Sequence, residues 1–287
     1  MVSAFNDGAG GGIPTPFAGP DLENPLIIGA HSHVHDPVHS HIALLDEAGA
    51  DRAVLFGTRP HPERATDQAS LRREMSVLGE AISGRSDGVL DGYQAAWQEL
   101  ESACAAYPDR FIGFGKVRLD VSAQRIAEEV EREVVGRGFR GIGELTPAPD
   151  EAGRIEPVLR AAADHGGLPV VVHGFAPTTA GDLATLAALA RRHPTVPLVI
   201  SQLGGLNWLT AIELVRDTPS MYLELSTANI IFAVRLAIEE VPDRTMFGSD
   251  APYGDPVLAR ATVERVTRPG ALRDRVLGGT LAELLGL

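Results

Sequence analysis

The chain has 287 residues, 44% of them hydrophobic, and its 25 Lys and Arg against 38 Asp and Glu give a formal net charge of −13. Nucleic acids and anionic membranes are bound through clustered positive charge, so this balance disfavours both as partners. A single cysteine, Cys104, excludes an internal disulfide framework and a cysteine-based zinc finger.

The first 25 residues are rich in Gly and Pro and contain neither the basic region nor the long apolar region of a secretory signal. No apolar run in the chain reaches the roughly 18 residues that indicate a membrane span. We therefore expect a flexible arm over residues 1–25, a folded domain over residues 26–287, and a cytoplasmic protein with no membrane partner.

Short apolar runs alternate with amphipathic helical patterns along the rest of the chain. The runs are β-branched or aromatic and mostly do not alternate with polar residues, which is typical of parallel strands covered on both faces. They lie at 25–29, 53–56, 111–114, 139–144, 169–173, 197–201, 221–225 and 245–249. Helices are predicted at 40–48, 92–107, 122–136, 154–165, 180–193, 206–216, 229–240, 256–267 and 271–285. Eight repeats of this kind predict an α/β fold, a single (β/α)8 TIM barrel.

The segment 57–91 is too long for a simple connection between a strand and the helix that follows it. It contains a helical pattern near 68–82. We predict an insertion after strand 2 that lies over the mouth of the barrel, where such segments often shape a substrate pocket.

Polar residues occur where several predicted strands end, which is where a (β/α)8 barrel carries its chemistry. Strand 1 ends in His31 and His33, strand 5 in His173, and strand 8 in Asp250. Residues two apart on a strand point the same way, so both strand-1 histidines can face the barrel mouth. A single histidine at a strand end is usually structural, but three imidazoles and a carboxylate at one end of a barrel form a ligand set for a divalent metal.

The motifs GAHSHVHDP, GIGEL, VVVHG, SQLGG and FGSDAP follow one another in the order and spacing of a known family. From about Leu26 to Leu287 the chain resembles the amidohydrolase superfamily, in its amidohydrolase-related (amidohydrolase 2) branch. The resemblance implies a (β/α)8 barrel that holds one or two divalent metals, and we expect Zn²⁺, with Mn²⁺ or Fe²⁺ as alternatives. It also implies a small-molecule substrate and is compatible with a homodimer.

The resemblance assigns roles by position. It implies that His31, His33, His173 and Asp250 bind metal, and that Asp250 also handles a proton of the reaction.

Two positions depart from the pattern of this branch. Gln202 stands where the family carries a histidine after strand 6, and an amide can form hydrogen bonds but cannot transfer a proton near neutral pH. Glu144, at the end of strand 4, resembles a glutamate of the TatD-like deoxyribonucleases that helps to hold two metals. We therefore predict Gln202 as a catalytic residue that orients the substrate, and Glu144 as a ligand if a second metal is present.

Other polar residues near the predicted mouth are candidates for substrate contact. These are His35, Arg59, His61 and Tyr253, of which the arginine suits a carboxylate. His39 and His41 are placed at the start of the first helix, around Ser40 as its N-cap candidate, with surface or cap-adjacent polar roles. Glu224 lies inside strand 7 and is expected to face the barrel interior or to form a salt bridge.

The leading functional hypothesis is a metal-dependent hydrolase, in which a metal-activated water cleaves an amide, lactone, ester or related C–N or C–O bond. The same branch contains non-oxidative decarboxylases of aromatic acids, which usually depend on the histidine that Gln202 replaces. A metal-free lactonase and a catalytically impaired binding barrel are further alternatives. A nuclease is disfavoured by the net charge and by the absence of a basic patch.

Overall fold

The computed structural model describes residues 25–82 and 90–287, and in this part of the chain eight parallel strands form one barrel in chain order. The strands are β1 (Ile28–His33), β2 (Arg52–Phe56), β3 (Phe111–Gly115), β4 (Gly141–Leu145), β5 (Val170–Val172), β6 (Leu198–Ile200), β7 (Met221–Glu224) and β8 (Thr245–Met246). Backbone hydrogen bonds from Ala30 to Phe247 and from His33 to Ala251 bring the first strand beside the last. The predicted (β/α)8 barrel is confirmed.

Helices connect the strands and cover the outside of the barrel. They are α1 (Val38–Ala48), α2 (Gln68–Ile82), α3 (Leu90–Ala106), α4 (Ala123–Glu129), α5 (Glu156–Asp164), α6 (Ala180–Arg192), α7 (Trp208–Arg216), α8 (Ile231–Glu240), α9 (Pro256–Val266), α10 (Ala271–Asp274) and α11 (Thr280–Leu285). Two predicted helices are interrupted, since α4 continues into a wider helical turn over Val130–Val135, and another such turn over Arg275–Gly279 separates α10 from α11. No helix in the described ranges is long and apolar enough to cross a membrane.

The apolar core has two parts, one between strands and helices and one inside the barrel. The inner part consists of side chains two apart on the strands, such as Val54 and Phe56 on β2 and Ile112 and Phe114 on β3. Residues of α11 join this inner cluster, so the final helix closes the end of the barrel at which the strands begin. The opposite end, where the strands finish, is left for polar residues.

The segment after β1 differs from its prediction. Helix α1 begins at Val38, and the Ser40 hydroxyl donates to the Pro37 carbonyl instead of capping the helix. His39 is exposed, as expected, but the surface role predicted for His41 is wrong, because His41 is fully buried. In the first turn of α1 it stacks on His35 and packs against Phe111 of β3.

The predicted N-terminal arm lies outside the described residues, apart from Pro25. Of the segment 57–91, the structure describes the part up to Ile82 and the start of α3. The helix predicted near 68–82 is confirmed as α2.

Candidate metal centre

Three predicted ligands meet at the carboxyl ends of β1 and β8. The Nε2 atoms of His31 and His33 lie 3.4 and 3.2 Å from Oδ1 of Asp250, and the two Nε2 atoms are 3.4 Å apart. One ligand atom from each residue lies within 4.8 Å of the other two. The two-residue spacing on β1 therefore does bring both imidazoles to one point, together with a carboxylate from the far end of the chain.

Glu224 fixes the orientation of the His31 ring. Its Oε2 lies 3.1 Å from Nδ1 of His31, and the carboxylate also accepts hydrogen bonds from the Ser226 backbone and hydroxyl and from the Gln202 backbone. Both Glu224 and His31 are fully buried. When Nδ1 donates to this carboxylate, the lone pair of Nε2 is left to face the centre, which is how metal-binding histidines are usually held.

Asp250 is held by the backbone and by Gln202, and one of its oxygens is free. Its N–H donates to the His31 carbonyl, and its Oδ2 accepts from Nε2 of Gln202 at 3.3 Å. Its backbone is left-handed, with φ of 60°, a conformation that is costly for a residue other than glycine. Within the described chain, the buried Oδ1 has no hydrogen-bond partner. An acceptor without a donor, facing two imidazole nitrogens, suits a cation.

Glu144 and His173 form a second pair beside this group. Nδ1 of His173 lies 3.1 Å from Oε1 of Glu144, its Nε2 lies 3.2 Å from the Ala176 carbonyl, and the Ser201 hydroxyl donates to the same glutamate oxygen. The other oxygen of Glu144 lies 3.8 Å from Nε2 of His31. Glu144 thus faces the centre, whereas both nitrogens of His173 have protein partners, and the metal-binding roles of these two residues stay predictions.

Carboxylates dominate the electrostatics of the centre. Burial lowers the pKa of His31, but Glu144, Asp250 and Glu224 outweigh it and raise this pKa to about 10. Burial also works against ionisation of Glu144, yet His173 and His31 hold its pKa well below the usual range. Three buried carboxylates around a pair of imidazoles favour positive charge among them. The residues present therefore fit a divalent cation in donor type, orientation and charge.

The side-chain amide of Gln202 connects two loops through hydrogen bonds. Its Oε1 accepts from the backbone N–H groups of Gly174 and Phe175 at 3.0 and 3.1 Å, and its Nε2 donates to Asp250. Its φ of 51° is left-handed. Both ends of the amide are therefore engaged in holding the loop after β5 and the carboxylate of Asp250.

A cavity of about 360 Å³ opens onto the centre. Its wall combines aromatic rings, two cations and the polar residues of the centre: Tyr93, Trp97, Phe175, Tyr253, Arg59, Lys116, His33, Glu144, His173, Gln202 and Asp250 all contribute. Helix α2 adds Leu78. Arg59 and Tyr253 thus lie where substrate contacts were predicted. The sequence reasoning missed Lys116, although it directly follows β3 and the strand-end rule would have found it.

The comparisons with known proteins agree with this arrangement. A family model described as Amidohydrolase matches residues 31–287, a range that starts at the first histidine of the centre. The chain belongs to the amidohydrolase family. The resemblance seen in the motifs is thereby confirmed. A comparison with curated protein sequences found no match.

Solved structures share the amidohydrolase barrel. A 2,6-dihydroxybenzoate decarboxylase complexed with 2,6-dihydroxybenzoate is 16% identical with a TM-score of 0.67, covering 92% of this chain and 100% of that one. A 5-carboxyvanillate decarboxylase from Sphingomonas paucimobilis is 18% identical, with a TM-score of 0.63 and the same coverage. A dihydroxybenzoic acid decarboxylase from a Polaromonas species, with bound manganese and the inhibitor 2-nitroresorcinol, is 16% identical with a TM-score of 0.64, covering 92% and 98%. At these identities the likeness establishes the fold.

Two predicted substrate contacts lie away from the cavity of this amidohydrolase. His35 is buried and stacks on His41, with ring centroids 4.1 Å apart. His61 is buried between Glu63 and Glu99, whose carboxylate oxygens lie 3.0 and 3.3 Å from its two ring nitrogens. Neither histidine lines the cavity that opens onto the metal centre.

Proposed function

We propose that this amidohydrolase is a metal-dependent, non-oxidative decarboxylase of an aromatic acid. The observation that carries the proposal is the aromatic-lined cavity, which ends at a centre where one carboxylate oxygen of Asp250 is free. The cavity is of the size that suits small organic ligands, which is about 300–1,000 Å³. Decarboxylases of dihydroxybenzoates with the same fold support this choice of substrate class.

His31, His33 and Asp250 would hold the divalent cation, with Glu144 and His173 beside it. Zn²⁺ suits the imidazole and carboxylate donors, and Mn²⁺, which a decarboxylase of the same fold binds, is the alternative. When bound, the cation supplies positive charge for an anionic oxygen of the substrate. Glu224 keeps the His31 ring in position for this role.

Asp250 is the proton donor in this proposal. When its carboxyl group is protonated, that group delivers the proton to the ring carbon that carries the carboxylate. The bond between that carbon and the carboxylate then breaks, its electron pair restores the aromatic ring, and carbon dioxide leaves. Water reprotonates the Asp250 carboxylate. Gln202 donates to Oδ2 of Asp250 and so helps to hold this carboxyl group in position.

Hydrolysis is the second candidate, and the same free oxygen of Asp250 favours it, because it can accept a proton from an attacking water. Hydrolysis requires one proton to be taken from water and one to be given to the leaving group. Decarboxylation requires one proton delivery to carbon. Gln202 cannot transfer a proton in either reaction, so the preference for decarboxylation rests on the aromatic-lined cavity and on the decarboxylases that share the fold.

A substrate panel separates the two reactions. Metal-loaded protein is incubated with hydroxybenzoates and, separately, with lactones and amides, and both carbon dioxide release and ring opening or amine release are measured. We expect carbon dioxide from at least one hydroxybenzoate. Turnover of a lactone or amide without decarboxylation of any aromatic acid would favour hydrolysis instead.

Metal content tests the centre itself. Purified protein is analysed by elemental mass spectrometry alongside the variants His31→Ala and His39→Ala. The second variant is a matched control, because His39 belongs to the same histidine-rich stretch but is exposed on α1. We expect stoichiometric zinc or manganese in the wild type and the control, and loss of metal in His31→Ala. Wild-type protein that never retains stoichiometric metal would contradict the mechanism and favour a metal-free lactonase or a binding barrel.

A further inference from the structure

Two cations line the cavity that contains the metal centre. Lys116 directly follows β3, and Arg59 lies three residues beyond the end of the neighbouring strand β2. Within residues 25–82 and 90–287, neither side chain forms an ion pair or a hydrogen bond. By contrast, Arg64, on the same loop as Arg59, is paired with Asp36.

The placement of Lys116 is unfavourable for a charge without a partner. Burial lowers the pKa of its ammonium group, Glu144 raises it, and the nearby guanidinium of Arg59 lowers it further. The backbone around Lys116 is fixed, since its carbonyl accepts a hydrogen bond of 2.7 Å from the indole N–H of Trp97. Two like charges held close together in a partly buried wall are stabilised by an anion that contacts both.

The wall of one cavity carries both the metal centre and these two cations. The centre carries the proton donor Asp250, so the carboxylate that is lost must lie there. A carboxylate held by Lys116 and Arg59 would instead be retained. Arg59 presents a planar set of donors that matches the two oxygens of a carboxylate.

We infer that Lys116 and Arg59 form a carboxylate-binding subsite, and that the preferred substrate is an aromatic ring with two acidic groups. The inference rests on the proposed function for the fate of the first group, which leaves as carbon dioxide. The second group stays on the product, which is a monocarboxylate. Tyr93 and Trp97, on α3, line the same cavity and would contact the aromatic ring.

Equilibrium binding of two aromatic acids tests the subsite separately from catalysis. Benzoate and benzene-1,3-dicarboxylate are titrated into metal-loaded protein by calorimetry. A charge-assisted contact contributes about 1.5–3 kcal/mol, so we expect the dicarboxylate to bind roughly 10–100-fold more tightly. Equal affinities of the two probes in the wild-type protein would overturn the inference, whatever the variants do.

Variants then identify the residues. Lys116→Met and Arg59→Met should each remove most of the preference for the dicarboxylate over benzoate. Arg64→Met removes an equal charge from the same loop away from the cavity, and it should keep the preference. Lys116→Arg, which restores a cation, should recover part of the preference if Lys116→Met folds poorly. A preference that survives in both methionine variants would refute the assignment.

The proposed decarboxylation and the proposed carboxylate subsite can be refuted independently of each other. If no aromatic acid loses carbon dioxide but the dicarboxylate preference depends on Lys116 and Arg59, the subsite stands and the proposed reaction is wrong. If monocarboxylates are decarboxylated as fast as dicarboxylates, and KM is unchanged in both methionine variants, the reaction stands and the subsite is wrong.

Discussion

Two pairs of histidines lie within one stretch of eleven residues, from His31 to His41, and have opposite chemistry. His31 and His33 are surrounded by carboxylates, which raise the pKa of His31 to about 10. His35 and His41 stack on one another, and His41 also packs on Phe111 at 5.1 Å. Burial lowers the pKa of His35 to about 4. The residue type is the same, and the presence or absence of buried negative charge decides whether the imidazoles attract cations or remain neutral.

Removing the Asp250 carboxylate, which faces both His31 and His33, should have the largest effect on activity. Asp250→Asn keeps the shape of the side chain but removes the proposed proton donor and a metal ligand. We expect kcat to fall by about 10²–10⁴-fold, the range typical of a lost general acid, with the melting temperature little changed. Carbon dioxide release and circular dichroism measure the two quantities.

The exposed Asp164→Asn variant carries the same chemical change at the surface and should behave as wild type. An Asp250→Asn variant with more than a tenth of wild-type kcat would show that Asp250 is not the proton donor.

Removing the charge of Glu224, which holds the His31 ring, should have a smaller effect than Asp250→Asn. In Glu224→Gln the His31 ring loses its anionic partner at 3.1 Å. Metal affinity should fall by about 10–100-fold, as is typical when such supporting carboxylates are lost. Competition with a chelator of known affinity measures the change, and Glu240→Gln, on the surface at the end of α8, is the control. Unchanged metal affinity in Glu224→Gln would mean that metal binding does not depend on the contact between Glu224 and His31.

Adding an imidazole beside the first pair should destabilise the protein. In Gln202→His, the new side chain cannot replace the amide oxygen that accepts from the backbone of Gly174 and Phe175 while also donating to Asp250. A buried donor left unsatisfied costs about 1–3 kcal/mol, and we expect a loss of this size in unfolding free energy together with lower activity. Urea titrations and steady-state rates test this. A gain in activity would show instead that the chain has lost a catalytic histidine at this position.

Local sequence patterns predicted the barrel because each strand is a short apolar run and each helix has its own periodicity. The two-residue spacing of His31 and His33 is also a local pattern, and it predicted that both side chains point the same way. Strand β8 was predicted too long, since the run 245–249 forms a strand only over Thr245–Met246. Beyond that point the backbone N–H groups of Ser249 and Asp250 donate to the His31 carbonyl. This pairing joins opposite ends of the chain and has no local signal.

The remaining errors in the site have the same origin. His41 is buried because Phe111, from a distant strand, covers it, and a helix-start pattern contains no information about that contact. Glu224 reaches His31 across 193 residues of sequence, so its supporting role could not be read from strand 7 alone. Lys116 is different, because its position directly after β3 was visible, and only its chemistry was overlooked.

The dependence of stability on acidic pH tests the stacked pair His35 and His41. We expect the smallest effect here. The folded chain keeps His35 and His41 neutral, since burial lowers both pKa values, whereas the unfolded chain binds protons below its ordinary value of about 6.5. Their contribution to the unfolding free energy is therefore complete above about pH 6.5 and decreases as the pH falls towards 4. His41→Phe preserves an aromatic ring against Phe111 and His35 but removes one of the two titrating groups. Urea unfolding between pH 7.5 and 4.5 should show a smaller loss of stability on acidification than in the wild type. His39→Ala removes an exposed imidazole and should leave that loss unchanged, and a His41→Phe variant as acid-sensitive as wild type would show that the stacked pair is not held neutral by burial.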